Sequence, residues 1–189
     1  QTHVVHPQVR HPFLAVIWFD FQLKLKLKRI QPDVFISPDG MNSLKPVCKY
    51  ITVFHDINFV HYPRYFPYFL RNYYIKRSPV IAHNSNRIVT VSEFSAKDIS
   101  RFYEISRDKI DVIYNAVGDE FKPLSKEKKN EVRQKICQGR EYFVFVGGMY
   151  HRKNLINQFK GFEQFKDETG SDMCMVYVGQ IVKDAKELL

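Results

Sequence analysis

Paired cysteines and long apolar runs are both missing from this 189-residue sequence. Its three cysteines, Cys48, Cys137 and Cys174, include no C-x-x-C pair. We therefore expect neither a disulfide framework nor a zinc site, and a reduced, cytoplasmic setting is favoured. No apolar run approaches the roughly 20 residues of a membrane-spanning helix. The polar, proline-broken opening contains no secretory signal.

Carboxylates are also in deficit, since 29 lysines and arginines face 20 acidic residues and the net charge is +9. A basic chain favours an anionic partner, which can be nucleic acid, an acidic membrane surface or a phosphate-bearing substrate. At 44% hydrophobic residues the chain can bury a core, so disorder is not expected. His3, His6 and His11 lie in a proline-containing segment without the fixed geometry that zinc requires, so a metal site there is disfavoured.

Short apolar runs recur along the chain and alternate with helical patterns. The runs are β-branched or aromatic and cover residues 34–36, 51–54, 88–91, 112–114, 143–146 and 175–178. Runs without a polar face are typical of strands buried on both sides of a parallel sheet. Their alternation with helices predicts an α/β protein with Rossmann-like, doubly wound parallel sheets.

Helical periodicity fills the gaps between these runs. The predicted apolar stripes are Phe66, Phe69, Leu70, Tyr73 and Arg77; Ala96, Ile99 and Phe102; and Leu155, Phe159, Phe162 and Lys166. Ser95 and Asp98 predict a capping box for the second helix, and Asn154 predicts the N-cap of the third. Residues 23–28 alternate leucine and lysine like a strand, but the length of the whole run favours a helix over residues 12–29. An edge strand guarded by lysines is the alternative.

A change in composition after Tyr114 predicts that the chain contains two sheets. Residues 115–139 are polar and lysine-rich, with two glycines and a proline, and a new apolar run begins at Tyr142. We interpret this stretch as a connector between the sheets that carries one short helix near residues 125–137.

The segment 143–154 carries the strongest chemical signal. A predicted strand ends at Gly147 and Gly148, and Arg152 and Lys153 precede the next helix. Glycines let the backbone approach a ligand closely, and a helix N-terminus attracts phosphate. The pattern predicts a phosphate-binding turn, although it is neither a Walker A loop nor a G-x-G-x-x-G fingerprint. The alternative is an ordinary strand–turn–helix with a solvated basic pair.

Polar residues also follow two other predicted strands. His55 and Asp56 come where an apolar run ends, and ligands of open α/β sheets bind outside the carboxyl ends of strands. A histidine–aspartate pair there can orient or polarise a hydroxyl group, while hydrogen bonding to the loop backbone is the alternative. Ser92 is a candidate ligand contact after the third run, but helix capping is the favoured interpretation for Ser92 and Ser95.

An ordered set of motifs connects the sequence to a known family. SPDG, FHDINFVHYP, RIVTVSEFSAKDI, KIDVIYNAV, F-x-P and FVGGMYHRKN occupy residues 37–40, 54–63, 87–99, 109–117, 121–123 and 145–154. In this order and spacing they resemble family 4 of the retaining glycosyltransferases, especially its bacterial mannosyltransferase-like members. Each motif alone is only weakly specific for the family, and the resemblance depends on the ordered set.

The resemblance implies the GT-B arrangement, in which two Rossmann-like domains face each other across a cleft. Residues 1–118 would be the carboxyl-terminal part of the acceptor-side domain, and residues 119–189 a linker and the first part of the nucleotide-sugar domain. The family's glycine-rich loop is expected before Gln1 and its E-x7-E motif after Leu189. We therefore expect a partial sequence, incomplete at both ends and unable to transfer sugar alone.

The resemblance also implies roles for individual residues. His55 matches the strand-end histidine near the transferred sugar and, with Asp56 beside it, is implied to be catalytic. The residues implied to hold the donor diphosphate are Gly147, Gly148, Arg152 and Lys153. Many family members carry arginine where Gly148 stands here, so Arg152 or the turn itself would have to compensate.

The implied function is transfer of a hexose of the mannose or glucose type from a nucleoside-diphosphate sugar to a sugar or lipid-linked acceptor, with retention of configuration. Synthesis of cell-surface polysaccharide or glycolipid is the expected purpose. No cofactor or metal is expected, since the D-x-D motif of metal-using families is absent. A cytoplasmic location with peripheral contact to the acidic inner membrane face is expected. The alternative is a nucleic-acid-binding protein that uses the basic, aromatic stretch Tyr62–Arg77.

Overall fold

The strands of the protein form two separate parallel sheets in a computed structural model that describes residue 5 and residues 12–180. The first sheet has the order β1-β2-β3-β4, with β1 (Val34–Ser37), β2 (Lys49–Val53), β3 (Arg87–Thr90) and β4 (Ile110–Val112). The second pairs β5 (Tyr142–Val146) with β6 (Cys174–Val178). The chain divides into two compact units, unit 1 (Gln1–Ala116) and unit 2 (Val117–Leu189). Parallel strands joined by helices confirm the predicted Rossmann-like α/β class.

Helices precede, connect or follow these strands. They are α1 (Pro12–Ile17), α2 (Lys24–Ile30), α3 (Asn58–His61), α4 (Tyr68–Asn84), α5 (Glu93–Tyr103), α6 (Lys126–Cys137) and α7 (Leu155–Thr169). A π-helical stretch, Trp18–Leu23, joins α1 to α2 without a break, which confirms the predicted helix and excludes the edge strand. Leu23 and Leu27 are buried one turn apart whereas Leu25 is exposed, so the leucine–lysine alternation is compatible with a helix.

The described helices cover one face of the first sheet. Tyr50, Thr52 and Ile88 point to that face and are buried, whereas their neighbours Lys49 and Arg87 are exposed on the other. Burial thus alternates with period two along the strands. The expectation of strands buried on both sides is wrong for the described residues. An apolar run shows that both faces of a strand could be buried, but it does not show whether a helix covers each face.

Two predicted stripes need correction. Burial of Tyr73 and Arg77 in α4 is confirmed, but Phe69 of α4 and Phe102 of α5 are exposed, and Tyr103 is buried in place of Phe102. Phe69 and Phe102 both lie at the border of the buried face of their helix. Spacings of three and four residues identify the side of a helix that is apolar, but they do not show where the buried face ends.

The predicted helix caps also differ from the observed ones. Helix α5 begins at Glu93, and its N-cap is Ser92, whose hydroxyl accepts a hydrogen bond from the Ser95 backbone N–H at 3.1 Å. This confirms capping by Ser92 and replaces the predicted Ser95–Asp98 capping box. Asp98 instead accepts a hydrogen bond from His61 at 2.7 Å. Asn154 occupies the N-cap position of α7 but adopts a left-handed conformation, and its side chain makes no capping bond.

A buried ion pair ties the amino-terminal helix to α4. The guanidinium of Arg77 donates to both carboxylate oxygens of Asp20, at 2.8 and 2.9 Å. Burial lowers the pKa of Arg77, but its bonds with Asp20 outweigh this effect and the pKa is raised. Asp20 also accepts from the Leu44 N–H, and Asn84 donates to the Leu44 carbonyl at 2.7 Å. The pair therefore also fixes the segment between β1 and β2.

Unit 2 is built on its two strands and α7. Leu155 and Met149 are buried, and Phe159 packs against Tyr177 of β6 with ring centroids 4.8 Å apart. The predicted connector lies between β4 and β5 and carries α6, which Ser125 caps by accepting from the Lys128 N–H. The short helix predicted there is confirmed.

Candidate functional site

A cavity of about 170 Å³ opens at the carboxyl edge of the first sheet. Its wall combines residues that follow β1, residues that follow β2 and the inner face of α4: Asp39, Gly40, His55, Asp56, Phe66 and Tyr74 among others. The predicted SPDG and FHD motifs thus lie together, 14 or more residues apart in sequence, as parallel pairing of β1 with β2 requires. This is the edge at which open α/β sheets bind ligands.

Gly40 makes the tight turn beneath this cavity. Its φ is +63°, a left-handed conformation that favours glycine. A Cβ atom at this position would lie 3.1 Å from the ring of Phe54. The turn therefore needs glycine for its backbone and for the space above Phe54, and it brings Asp39 to the cavity. Burial, together with the negative charge of Asp39, raises the pKa of Tyr74.

His55 is exposed at the carboxyl end of β2, as predicted. Its Nε2 lies 3.1 Å from the Pro38 carbonyl oxygen, which can only accept, so Nε2 carries the proton. In the neutral ring Nδ1 then keeps a free lone pair. Asp56 is engaged locally, because its two oxygens accept from the backbone N–H and the side-chain amide of Asn58, at 3.0 and 3.1 Å. A catalytic role for His55 and Asp56 stays a prediction.

Ser92 follows β3 on the same edge, but its hydroxyl is occupied. Besides accepting from the Ser95 N–H, it donates to the Ser95 hydroxyl at 3.0 Å. Ligand contact by Ser92 therefore stays a prediction, and any ligand would have to compete with the helix cap.

A second candidate site forms where β5 and β6 end in unit 2. The Gly147 N–H donates to the Val178 carbonyl at 2.8 Å, and the Met149 N–H donates to the Gln180 carbonyl at 3.0 Å. Gly147 and Gly179 have φ of +151° and +156°. A Cβ on Gly179 would lie 2.0 Å from the Gly147 carbonyl oxygen, so the two turns can only meet through glycine.

Gly179 is a site residue that the sequence analysis missed. Its signal is the Val-Gly pair that ends both strands, at residues 146–147 and again at residues 178–179. Gly148 has a different role, because it leaves room for the ring of Tyr150. A Cβ atom on Gly148 would lie 2.5 Å from that ring.

The basic pair of this site stands between the glycine turn and α7. Arg152 and Lys153 are exposed, and neither forms an ion pair with another described residue. The Arg152 guanidinium lies 5.7 Å from the centre of the Tyr150 ring, and the Lys153 N–H donates to the Tyr150 carbonyl. Because Asn154 makes no capping bond, the first N–H groups of α7 lack a side-chain acceptor. Gly147, Gly148, Arg152 and Lys153 thus lie on one connection, between β5 and α7, and their binding of a diphosphate stays a prediction.

Among the residues that the structure describes, no three His, Cys, Asp or Glu side chains cluster as metal ligands. The disfavoured metal site at residues 3, 6 and 11 lies outside the described residues. None of the helices described is long and apolar enough to cross a lipid bilayer.

Comparisons with known proteins agree with this architecture. Residues 1–121 match the family model of Glycosyltransferase Family 4. The O-antigen chain mannosyltransferase B of Escherichia coli is 30% identical over 122 residues, which are 63% of this chain and 32% of the relative.

The solved structure of a glycosyltransferase from Rickettsia africae aligns with a TM-score of 0.51 over 97% of this chain and 55% of the other, at 17% identity, which shows a shared fold. This chain therefore spans about a third of the length of its curated relative and about half of its structural neighbour. From the family match over 121 of 189 residues, together with the parallel α/β fold, the chain belongs to Glycosyltransferase Family 4.

Proposed function

We propose that this protein transfers a hexose from a nucleoside-diphosphate sugar to a sugar or lipid-linked acceptor, with retention of the anomeric configuration. Family membership supports glycosyl transfer, and the relative named O-antigen chain mannosyltransferase B supports a mannose-type sugar and a cell-surface polysaccharide. Within the proposal the protein acts in the cytoplasm, in a GT-B arrangement with unit 1 binding the acceptor and unit 2 the donor.

The glycine turn of unit 2 is the observation that carries the proposal. Gly147 ends β5 without a side chain, and only the ring of Phe145 lies near the position of its absent Cβ, so a diphosphate can reach the backbone there. Gly179 lets the turn after β6 pack directly against the Gly147 carbonyl. Arg152 and Lys153 supply unneutralised positive charge beside the start of the 15-residue helix α7. Exposed cations, uncapped N–H groups and bare glycines together suit a doubly charged leaving group.

The chemistry follows from where charge develops. As the bond between the sugar and the diphosphate breaks, negative charge accumulates on the leaving group, and cations already placed there stabilise the transition state. In the proposal, Arg152 and Lys153 are the cations that stabilise the leaving group, and no metal ion takes part. In unit 1, the free Nδ1 of His55 can accept a hydrogen bond from a sugar hydroxyl group in the cavity.

The test measures binding of nucleoside diphosphates by calorimetry, because binding does not depend on turnover. We expect UDP or GDP to bind the chain and Lys153→Ala to weaken binding by about 1.5–3 kcal/mol, the usual contribution of a charged hydrogen bond. Lys160→Ala, on the exposed part of α7, is the matched control and should leave binding unchanged. Equal affinities for the Lys153→Ala variant and the unaltered chain would refute the assignment.

A further inference from the structure

Exposed aromatic side chains lie together at the start of α4, with Arg64, which is exposed, and Arg71, which is half-buried. This aromatic–basic surface consists of Tyr62, Arg64, Tyr65, Tyr68, Phe69 and Arg71. Its four aromatic side chains are between 51% and 71% exposed. The rings of Tyr62 and Tyr65 are 6.1 Å apart, and the Arg71 guanidinium lies 5.2 Å from the centre of the Tyr68 ring.

These residues stand outside the core of unit 1. The inner face of α4 buries Tyr73, Arg77 and Ile81. Tyr68 lies on the opposite, outer face, and Phe69 lies at the border between the two faces. Ile75 continues the outer face and is also exposed. A contiguous exposed apolar patch, unlike a single exposed apolar side chain, indicates a neighbour that covers it.

The charge around this surface has one sign. Residues 57–92 contain no aspartate or glutamate. Of their five basic residues, Arg77 is neutralised by Asp20 and Arg87 pairs with Asp111. Arg64, Arg71 and Lys76 remain, and none of them forms an ion pair with another described residue. The missing neighbour is therefore anionic where it meets the arginines and apolar where it meets the rings.

An anionic lipid surface has this combination. Tyrosine and phenylalanine enter the boundary between headgroups and acyl chains, while arginine and lysine bind the phosphates. An acidic peptide would match the charges but not a row of four exposed rings. The aromatic–basic surface also adjoins the cavity of unit 1, since Phe66 and Tyr74, from the same segment, form part of the cavity wall.

We propose that the aromatic–basic surface docks unit 1 on an anionic lipid membrane and places its cavity at the headgroup level. Docking rests on the residues just described. Presentation of the cavity to a lipid-borne acceptor rests, in addition, on the proposed function.

The experiment is sedimentation of the chain with phosphatidylcholine vesicles that contain or lack phosphatidylglycerol. We expect binding only to the anionic vesicles, with an affinity that falls as salt is added. The variant R64Q/R71Q/K76Q should bind about a hundredfold more weakly, at roughly fivefold for each positive charge removed. The variant Y65S/Y68S/F69S keeps all charges and should also lose most binding.

A charge-matched control tests whether this surface or the net charge is responsible. The variant K28Q/R29Q/K49Q removes three exposed charges, two near the end of α2 and one at the start of β2, at the end of the sheet opposite the cavity. It should bind the anionic vesicles like the unaltered chain. Equal losses in the two charge variants, no preference for anionic vesicles, or binding of a single-stranded oligonucleotide in place of vesicles would each overturn the proposal. Failed UDP and GDP binding with intact vesicle binding would overturn only the donor assignment.

Discussion

The buried pair of Asp20 and Arg77 gives the sharpest stability prediction. In the Asp20→Ala variant, the Arg77 guanidinium stays in the core without its partner, and the Leu44 N–H loses its acceptor. The Arg77 side chain is 10% exposed and that of Asp20 is 21% exposed, so water reaches the pair only in part. Removing one partner of a buried pair costs about 3–5 kcal/mol, and partial exposure favours the lower end, about 3 kcal/mol.

A matched control exists on the surface of the same unit. Arg87 and Asp111 form another arginine–carboxylate pair through two guanidinium nitrogens, but both side chains are nearly half exposed. Asp111→Ala should cost about 0–1 kcal/mol, as exposed pairs do. The double variant D20A/R77M removes both buried charges and should cost less than the sum of the two single substitutions.

Urea unfolding followed by tryptophan fluorescence is the assay. Trp18 is the single tryptophan of the chain and lies in the same π-helical stretch as Asp20, so its emission reports unit 1 alone. With a slope of about 2 kcal/mol per molar urea, a loss of about 3 kcal/mol lowers the midpoint by about 1.5 M. Midpoints for Asp20→Ala and Asp111→Ala that agree within error would show that the reasoning from burial is wrong.

Three further predictions concern the stability of unit 2 and the pH dependence of unit 1. Gly179→Ala should destabilise unit 2 by about 2 kcal/mol or more and abolish diphosphate binding, since its Cβ would overlap the Gly147 carbonyl. Gly161→Ala, in open space on α7, should instead stabilise it by about 0.5–1 kcal/mol in calorimetric unfolding. Burial raises the pKa of Tyr50 from 10.0 to about 12. Its contribution to stability is thus complete below pH 10 and lost as the pH rises to 12, and Tyr50→Phe should flatten that decline in urea titrations. A steeper decline in the Tyr50→Phe variant, or full diphosphate binding by the Gly179→Ala variant, would contradict these expectations.

Local patterns were sufficient to predict the strands and the longer helices. Each of the six apolar runs overlaps an observed strand, and Arg152 and Lys153 follow Gly147 and Gly148 on the connection between β5 and α7. These features are encoded by neighbours in sequence, which periodicity and glycine placement can reveal.

The features that depend on distant residues could not be predicted in this way. Arg77 was expected to end a helical stripe, but it is buried because Asp20, 57 residues away, neutralises it. The spacing of Ser95 and Asp98 fits a capping box in the sequence. Asp98 accepts a hydrogen bond from His61 instead, and the position of His61 cannot be seen from the residues around Asp98. Gly179 was missed because its requirement for glycine comes from the carbonyl of Gly147 on the neighbouring strand.

The anchoring of Leu44 has a consequence for ligand affinity. Its N–H is bound by Asp20 and its carbonyl by Asn84, while Gly40 sets the turn at the other end of the same connection. The β1–β2 connection is therefore preorganised on folding. A molecule that enters the cavity does not have to order this loop, and the entropic cost that weakens binding to mobile loops is largely avoided. Substitutions at Asp20, far from the cavity in sequence, would thus change affinity as well as stability.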